Sequence, residues 1–232
     1  MNKIVKRLFY KFPASHVFMF HHIDDGKIIK KSGCVIRHEE FVKILDSSLN
    51  FISIDDYVKF SSKTKNKVVI SFDDGLQDVY RVAYPELKSR NIPFTIFIVT
   101  EFLDKEGYLT TQQLLKLSSD PLVTIGSHGV SHRILKGMDY EQQKIELLES
   151  KRHIEKLIQK DVKYFAYSHG QYDNFTLFIL NETKCYDFAF GTCGYPTNIY
   201  TKRWKYYLPR INCDEGQTRF VIKGNKVKMW VL

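Results

Sequence analysis

Apolar runs of strand length alternate along this chain with segments of helical period. His16 to Phe20 is apolar after its first residue and predicts a buried strand. Phe41, Ile44, Leu45 and Leu49 recur at helical spacing and predict a helix over Glu39 to Leu49. A strand over Lys67 to Phe72 comes next, then a helix from Asp78 to Arg90. Pro85 should kink or break that helix, because proline lacks an amide hydrogen and crowds the preceding turn. Pro93 to Thr100 and Leu122 to Ser127 read as strands, separated by a short helix over Thr110 to Leu117 capped by Thr110. Ile145, Leu148, Ile154, Leu157 and Ile158 mark a long helix from Tyr140 to Gln159. Val162 to Tyr167 predicts a strand, Asp173 to Asn181 a helix, and Tyr186 to Phe190 a strand. Beyond Arg210 the pattern shortens and closes in a hairpin at Lys223-Gly224-Asn225.

Strand-then-helix repetition predicts an α/β protein with a parallel, barrel-like sheet, whose chemistry gathers at the carboxyl ends of its strands. At 232 residues, 44% of them hydrophobic, residues 1–232 suit a single domain with a substantial core. The formal charge of +9 is spread out, with small clusters at Lys3, Lys6, Arg7 and Lys11 and at Lys63, Lys65 and Lys67. No basic-aromatic interleaving accompanies it, so nucleic acid is not the expected partner. Such a field suits anionic substrates or lipid headgroups. No run is apolar enough to span a bilayer. Leu8-Phe9-Tyr10 meets Lys11 and Pro13 before a signal-peptide core develops. Cys34, Cys185, Cys193 and Cys213 form no CxxC pair, so free thiols in a reducing compartment are expected. The resulting expectation is a cytoplasmic protein whose basic start suits peripheral contact with a membrane.

Two segments carry chemistry. Asp73 and Asp74 end the apolar run Val68-Val69-Ile70-Ser71-Phe72, and Gly75 then lets the backbone turn. Were the strand to continue through them, the two carboxylates would point to opposite sides and take different roles. Alone, they would read equally well as a helix cap with its first-turn acid. His128 and His132 stand four apart after a second apolar run, and on a helix or tight loop they share a face. One carboxylate and two imidazoles can hold a divalent cation on three sides and leave a position open. The other carboxylate is then free to act as a base.

Phe72-Asp73-Asp74-Gly75 and Ser127-His128-x-x-x-His132, in this order and separation, resemble the first two motifs of the polysaccharide deacetylases (the NodB-homology or carbohydrate esterase family 4 enzymes). The similarity runs from Phe20-His21-His22 to Leu208-Pro209-Arg210-Ile211. It implies a distorted (β/α) barrel of about seven strands and metal-dependent removal of N-acetyl, sometimes O-acetyl, groups from sugars. Position by position, it implies Asp73 as catalytic base and Asp74, His128 and His132 as metal ligands. Zinc is the expected ion, with cobalt, nickel and manganese as alternatives. Such an ion brings a water's pKa down toward ~7, and the ion with a backbone N–H would hold the oxyanion.

The third motif departs from the family pattern. In Phe165-Ala166-Tyr167-Ser168-His169-Gly170, Ser168 stands where proline is usual and His169 where an aromatic is usual. Tyr167 and His169 are expected to face substrate, His169 as a proton donor or as part of the groove wall. His21 matches a histidine of the same branch and is the expected general acid, a task histidine suits near neutral pH. Arg210 is expected beside Asp73, keeping it ionised, and among the substrate-binding residues. The substrate expected is an N-acetylated sugar or glycan intermediate of surface-polysaccharide synthesis, sugar-nucleotide-derived or lipid-linked. Two rivals stand beside this reading: a carbohydrate-binding protein on the same fold without activity, and an amidase acting on a cyclic amide.

Overall fold

The first strand, β1 (His16–Phe20), is buried along its whole length. In the computed structural model, which describes residues 15–26, 34–59, 67–192, 205–214, 218–223 and 226–231, β1 leads into a small parallel pair, β2 (His22–Asp24) and β3 (Val35–Arg37). There follow α1 (His38–Leu45), β4 (Asn50–Phe51), α2 (Ile54–Lys59) and β5 (Lys67–Phe72). A π-helical turn, Val79–Ala83, runs into α3 (Tyr84–Ser89). Then come β6 (Phe94–Ile98), α4 (Thr111–Ser119), β7 (Val123–Ser127), α5 (Tyr140–Ile158), β8 (Tyr164–Ala166), α6 (Asn174–Thr183), β9 (Phe188–Phe190) and β10 (Ile211–Asn212). An antiparallel pair ends the chain, β11 (Thr218–Lys223) with β12 (Lys226–Val231). The expected turn at Gly224-Asn225 and the basic residues Lys3, Lys6, Arg7, Lys11, Lys63 and Lys65 lie outside the described residues.

The main sheet is parallel in the order β10-β1-β5-β6-β7-β8-β9, with β4 added on β5. It curls back on itself. The stretch entering β10 bridges to β9 at Phe190 and Leu208, and β10 itself pairs with β1 at Phe18 and Ile211. The expected distorted barrel is therefore what forms.

Period-two alternation sorts the strand residues into two cores. Phe18, Phe20, Ile70, Phe72, Phe94, Ile96, Ile98 and Phe165 face outward beneath the helices. There Phe41 of α1 meets Phe20 and Phe72 at centroid separations of 5.4 and 5.9 Å, both edge-on. Each such ring contributes about 1.5–3 kcal/mol on burial, and edge-on pairing adds about 0.5–1.5 kcal/mol. The opposite parity, Val17, Val69, Phe97, Tyr164, Ala166, Phe190 and Leu208, fills the inside of the curl. Continued two residues at a time, that inner register reaches His21 from Val17, Asp73 from Val69 and Ser168 from Tyr164. The strands thus deliver polar side chains to one end of an apolar interior.

Most element boundaries follow the pattern of the chain. Thr110 caps α4 with a reciprocal Gln113 bond, Asp139 caps α5, and Asp173 caps α6. The Asp78–Arg90 segment divides next to Pro85: a π turn over Val79–Ala83 gives way to α3 at Tyr84, and proline occupies the first turn of α3, where no amide donor is needed. One expectation shifts. The helix from Glu39 stops at Leu45, and Leu49 packs from beyond its end. Among the described residues no helix is long and apolar enough to cross a membrane.

Gly126 sits inside the curl, where an added Cβ would stand 2.5 Å from the Phe97 ring and 3.1 Å from the Tyr164 carbonyl oxygen. Gly126→Ala should therefore lower stability by about 1–3 kcal/mol through overpacking. A drop in the urea midpoint at unchanged slope would show it.

Candidate active site

The β5 ladder extends one residue beyond Phe72, because the Asp73 amide donates to the Phe20 carbonyl at 3.0 Å. Asp73 therefore keeps the inward alternation. Asp74 leaves it, with φ of 70°, and Gly75 follows at 72°. The two carboxylates diverge because the chain turns left-handed at Asp74, not because a strand continues through both. Aspartate tolerates that region better than most residues.

His128 follows β7, and its amide donates to the Ile98 carbonyl at 2.7 Å. Its Nδ1–H donates to the Ala166 carbonyl at 2.7 Å, which leaves the Nε2 lone pair facing the site. Burial lowers the His128 pKa more than Asp73 and Asp74 raise it, so the ring is neutral, as a ligand must be. His132 comes back from a loop, not a helix, with φ of 63° and its ring 5.0 Å from that of His128. Asp74 Oδ1 lies 3.5 Å from His128 Nε2 and 3.2 Å from His132 Nε2. That oxygen is buried without a hydrogen-bond partner. A stranded carboxylate oxygen between two imidazole nitrogens is the donor set of a divalent cation, so these three residues fit the ion that the motifs imply.

Glu146 of α5 holds the loop between the two histidines. Its Oε2 accepts from the amides of Val130 at 2.7 Å and Ser131 at 3.1 Å, and its Oε1 accepts from the Ser131 hydroxyl. Gly129, at φ of 88°, makes room, since a Cβ there would stand 2.8 Å from Glu146 Oε2. The carboxylate thus neutralises consecutive backbone donors in a turn that would otherwise bury them unpaired.

Behind Asp73 lies Arg210, fully buried. Its Nη1 donates to Asp73 Oδ1 at 2.6 Å and its Nη2 to Oδ2 at 2.7 Å. Burial alone would raise the Asp73 pKa. The charge of Arg210, its hydrogen bonds and the charge of His21 overrule it and hold the carboxyl well below the usual carboxylate range. On the other side, His21 Nδ1 bonds Asp214 Oδ2 at 2.7 Å, and the His21 amide donates to Asp214 Oδ1. Burial opposes charge on this ring, but the Asp214 bond and the fields of Asp214, Asp73 and Asp74 push its pKa up to about 9.

Two of the residues expected to face substrate, Arg210 and Tyr167, are fully buried, and the third, His169, takes the wall position. Arg210 is sealed from solvent and grips Asp73, so it does not touch substrate. Tyr167 is also fully buried: its hydroxyl donates to the Tyr206 carbonyl and its amide to that of Phe190, so it is wall framework. His169, at φ of 55°, does line the site, 4.9 Å from the His132 ring. Burial and the neighbouring His132 lower its pKa, which suits a neutral wall residue better than a proton donor. Phe102 also approaches His132, at 6.0 Å between rings, and packs against Tyr108 with their rings 4.6 Å apart. Ser168 fills the usual proline position and donates to the His128 carbonyl.

Asp214, Glu146, Phe102 and Tyr108 carry no signal in the linear motifs. Glu146 is one acid between Ile145 and Leu147 on an ordinary helix, and Asp214 stands next to Glu215 in a polar stretch, so neither marks a site in the sequence. Glu146→Ala should weaken divalent-cation affinity roughly 10- to 100-fold, the usual effect of removing support behind a ligand. Competition with a chromogenic chelator, with the melting temperature of the metal-free protein alongside, would measure it. Unchanged affinity would remove Glu146 from the site.

The family profile described as polysaccharide deacetylase matches residues 61–186, more than half of the chain. The poly-beta-1,6-N-acetyl-D-glucosamine N-deacetylase of Staphylococcus aureus is 24% identical over 225 residues, covering 89% of this chain and 76% of that protein. Among solved structures, the Streptococcus pyogenes deacetylase PplD in complex with acetate superposes with a TM-score of 0.74 at 21% identity, covering 89% of this chain and 94% of that one. IcaB from Ammonifex degensii gives a TM-score of 0.74 at 19% identity, covering 88% and 93%. With the fold, the motifs and the profile in agreement, the chain belongs to the polysaccharide deacetylase family of hydrolases.

Proposed function

We propose that the protein removes the N-acetyl group from a hexosamine of a glycan, with a divalent cation held by Asp74, His128 and His132. The observation that carries this reading is the convergence of that donor trio, Asp73 on Arg210 and His21 on Asp214 at one end of the barrel. When bound, the cation would supply Lewis-acid chemistry, acidifying the attacking water and polarising the acetyl carbonyl.

The chain's own residues do the rest. Asp73, kept ionised by Arg210, orients the attacking water and accepts its proton. His21, protonated and with Nδ1 engaged by Asp214, presents Nε2–H to the departing amine. Phe102, Tyr108 and His169 form the walls, and the two ring systems suit the apolar face of a sugar. Zinc leads among the ions because two imidazoles and one carboxylate form a common catalytic zinc set. The N-acetylglucosamine polymer named for the staphylococcal relative supplies the substrate class, and the charge of +9 favours an anionic carrier such as a lipid-linked pyrophosphate.

Acetate release from N-acetylglucosamine oligomers tests the proposal. Asp73→Asn should retain one equivalent of metal and lose at least ~100-fold in kcat, within the range of general-base catalysis. Asp74→Ala should lose the metal and the activity together. An active Asp73→Asn enzyme would refute the base assignment.

The pH profile tests the acid. His21 gains its proton affinity on folding, from 6.5 to about 9. The protonated ring is therefore complete below about 6.5 and lost as pH rises through about 9. The alkaline limb of kcat/KM should fall near the upper value and move to lower pH in Asp214→Asn. An alkaline limb unmoved by that substitution would count against His21.

A further inference from the structure

One thiol stands beside this machinery without a task in it. Cys34 immediately precedes β3, and its carbonyl accepts from the His22 amide at 3.1 Å, which ties it to the strand that follows His21. Ligating atoms of His21, Cys34 and Asp214 all lie within 4.8 Å of one another. These donors are distinct from the Asp74, His128 and His132 trio. Asp214 is fully buried, and the other two are half-buried. Burial and the negative field of Asp214, Asp74 and Asp73 keep the thiol protonated, so it is a poor nucleophile and a poor redox sensor. The same field attracts a cation.

We propose that His21, Cys34 and Asp214 form a second, inhibitory site for a soft divalent cation of the zinc and cadmium class. The ion takes the place of the proton that His21 shares with Asp214. The Cys34 thiol proton and the His21 Nδ1 proton leave to solvent, one metal–sulfur and one metal–nitrogen bond form, and Asp214 completes the set with oxygen. No electron changes hands. Donors bound at about 2.0–2.3 Å to one tetrahedral ion stand roughly 3.3–3.8 Å apart, so side-chain shifts of about 1 Å close the cluster. A thiolate and an imidazole select zinc, cadmium or cobalt over magnesium and calcium. The inhibitory consequence rests on the role proposed for His21: a metallated ring is a much weaker acid than imidazolium, so the leaving amine goes unprotonated.

Cobalt titration of the full chain, read by equilibrium dialysis, near-ultraviolet absorption and acetate release, tests this. The first equivalent should support activity. The second should bring a thiolate-to-cobalt charge-transfer band and at least a tenfold loss of rate. Cys34→Ser should bind one equivalent, show no band and keep its rate in excess cobalt. Cys34→His should regain the second equivalent without the band, which separates ligation from a folding defect. Absence of the band in the wild-type protein, its persistence in Cys34→Ser, or equal inhibition of that variant would overturn the proposal. Should no ion support acetate release, the proposed function fails, and band and stoichiometry still decide the site.

Discussion

A buried arginine holds both the closure of the barrel and its chemistry. Arg210 lies on the stretch that joins β9 to β1, so its backbone helps close the sheet while its side chain crosses the interior. Its guanidinium packs over the Phe97 ring at 5.1 Å, its Nε donates to the Gly191 carbonyl, and its two terminal nitrogens take both oxygens of Asp73. Replacing such a pair by apolar residues is often neutral for stability, but removing one member strands a buried charge at a cost of about 3–5 kcal/mol. The pair is therefore better understood as a device for placement. It holds an ionised carboxylate, in one orientation, at the mouth of an apolar tube.

Around that fixed charge the other titratable groups are driven apart. His128 and His21 both face carboxylates, yet they end in opposite protonation states. His128 is wholly enclosed and gives its Nδ1–H to a carbonyl, so desolvation wins and the ring stays neutral. His21 bonds a buried carboxylate through the same atom, and that contact overrides desolvation. The partner on Nδ1, carbonyl or carboxylate, decides which ring stays neutral and which carries a second proton.

Much of this was legible in the chain because it rests on local signals. Apolar runs within Lys67–Phe72 and Leu122–Ser127 located the strand ends, and the Asp-Asp-Gly and His-x-x-x-His segments located the trio. Thr110, Asp139 and Asp173 sit where caps belong. What escaped was set by distance in sequence. Asp214 reaches His21 across 193 positions, and Glu146 supports a loop 15 and 16 residues before it from an otherwise ordinary helix. Tyr167 and Arg210 were assigned to substrate because motif position says nothing about which way a closing barrel turns a side chain. The β2–β3 pair and α2 were missed because short elements hold too few residues for a period to show.

The backbone at the site is as unusual as its charges. Among the described residues, seven non-glycine positions have positive φ, and Asp74, His132 and His169 among them come together around the candidate cation. Sparsely populated conformations each cost on the order of 1–3 kcal/mol and persist only where surroundings over-determine them. Here the surroundings are identifiable: Gly75 and β6 behind Asp74, and Glu146 beneath the loop that ends at His132. A right-handed or extended residue at 74 would carry its carboxylate along the strand, away from the imidazoles. The left-handed turn keeps two adjacent carboxylates from sharing one role, so that one can face an ion while its neighbour stays on the arginine.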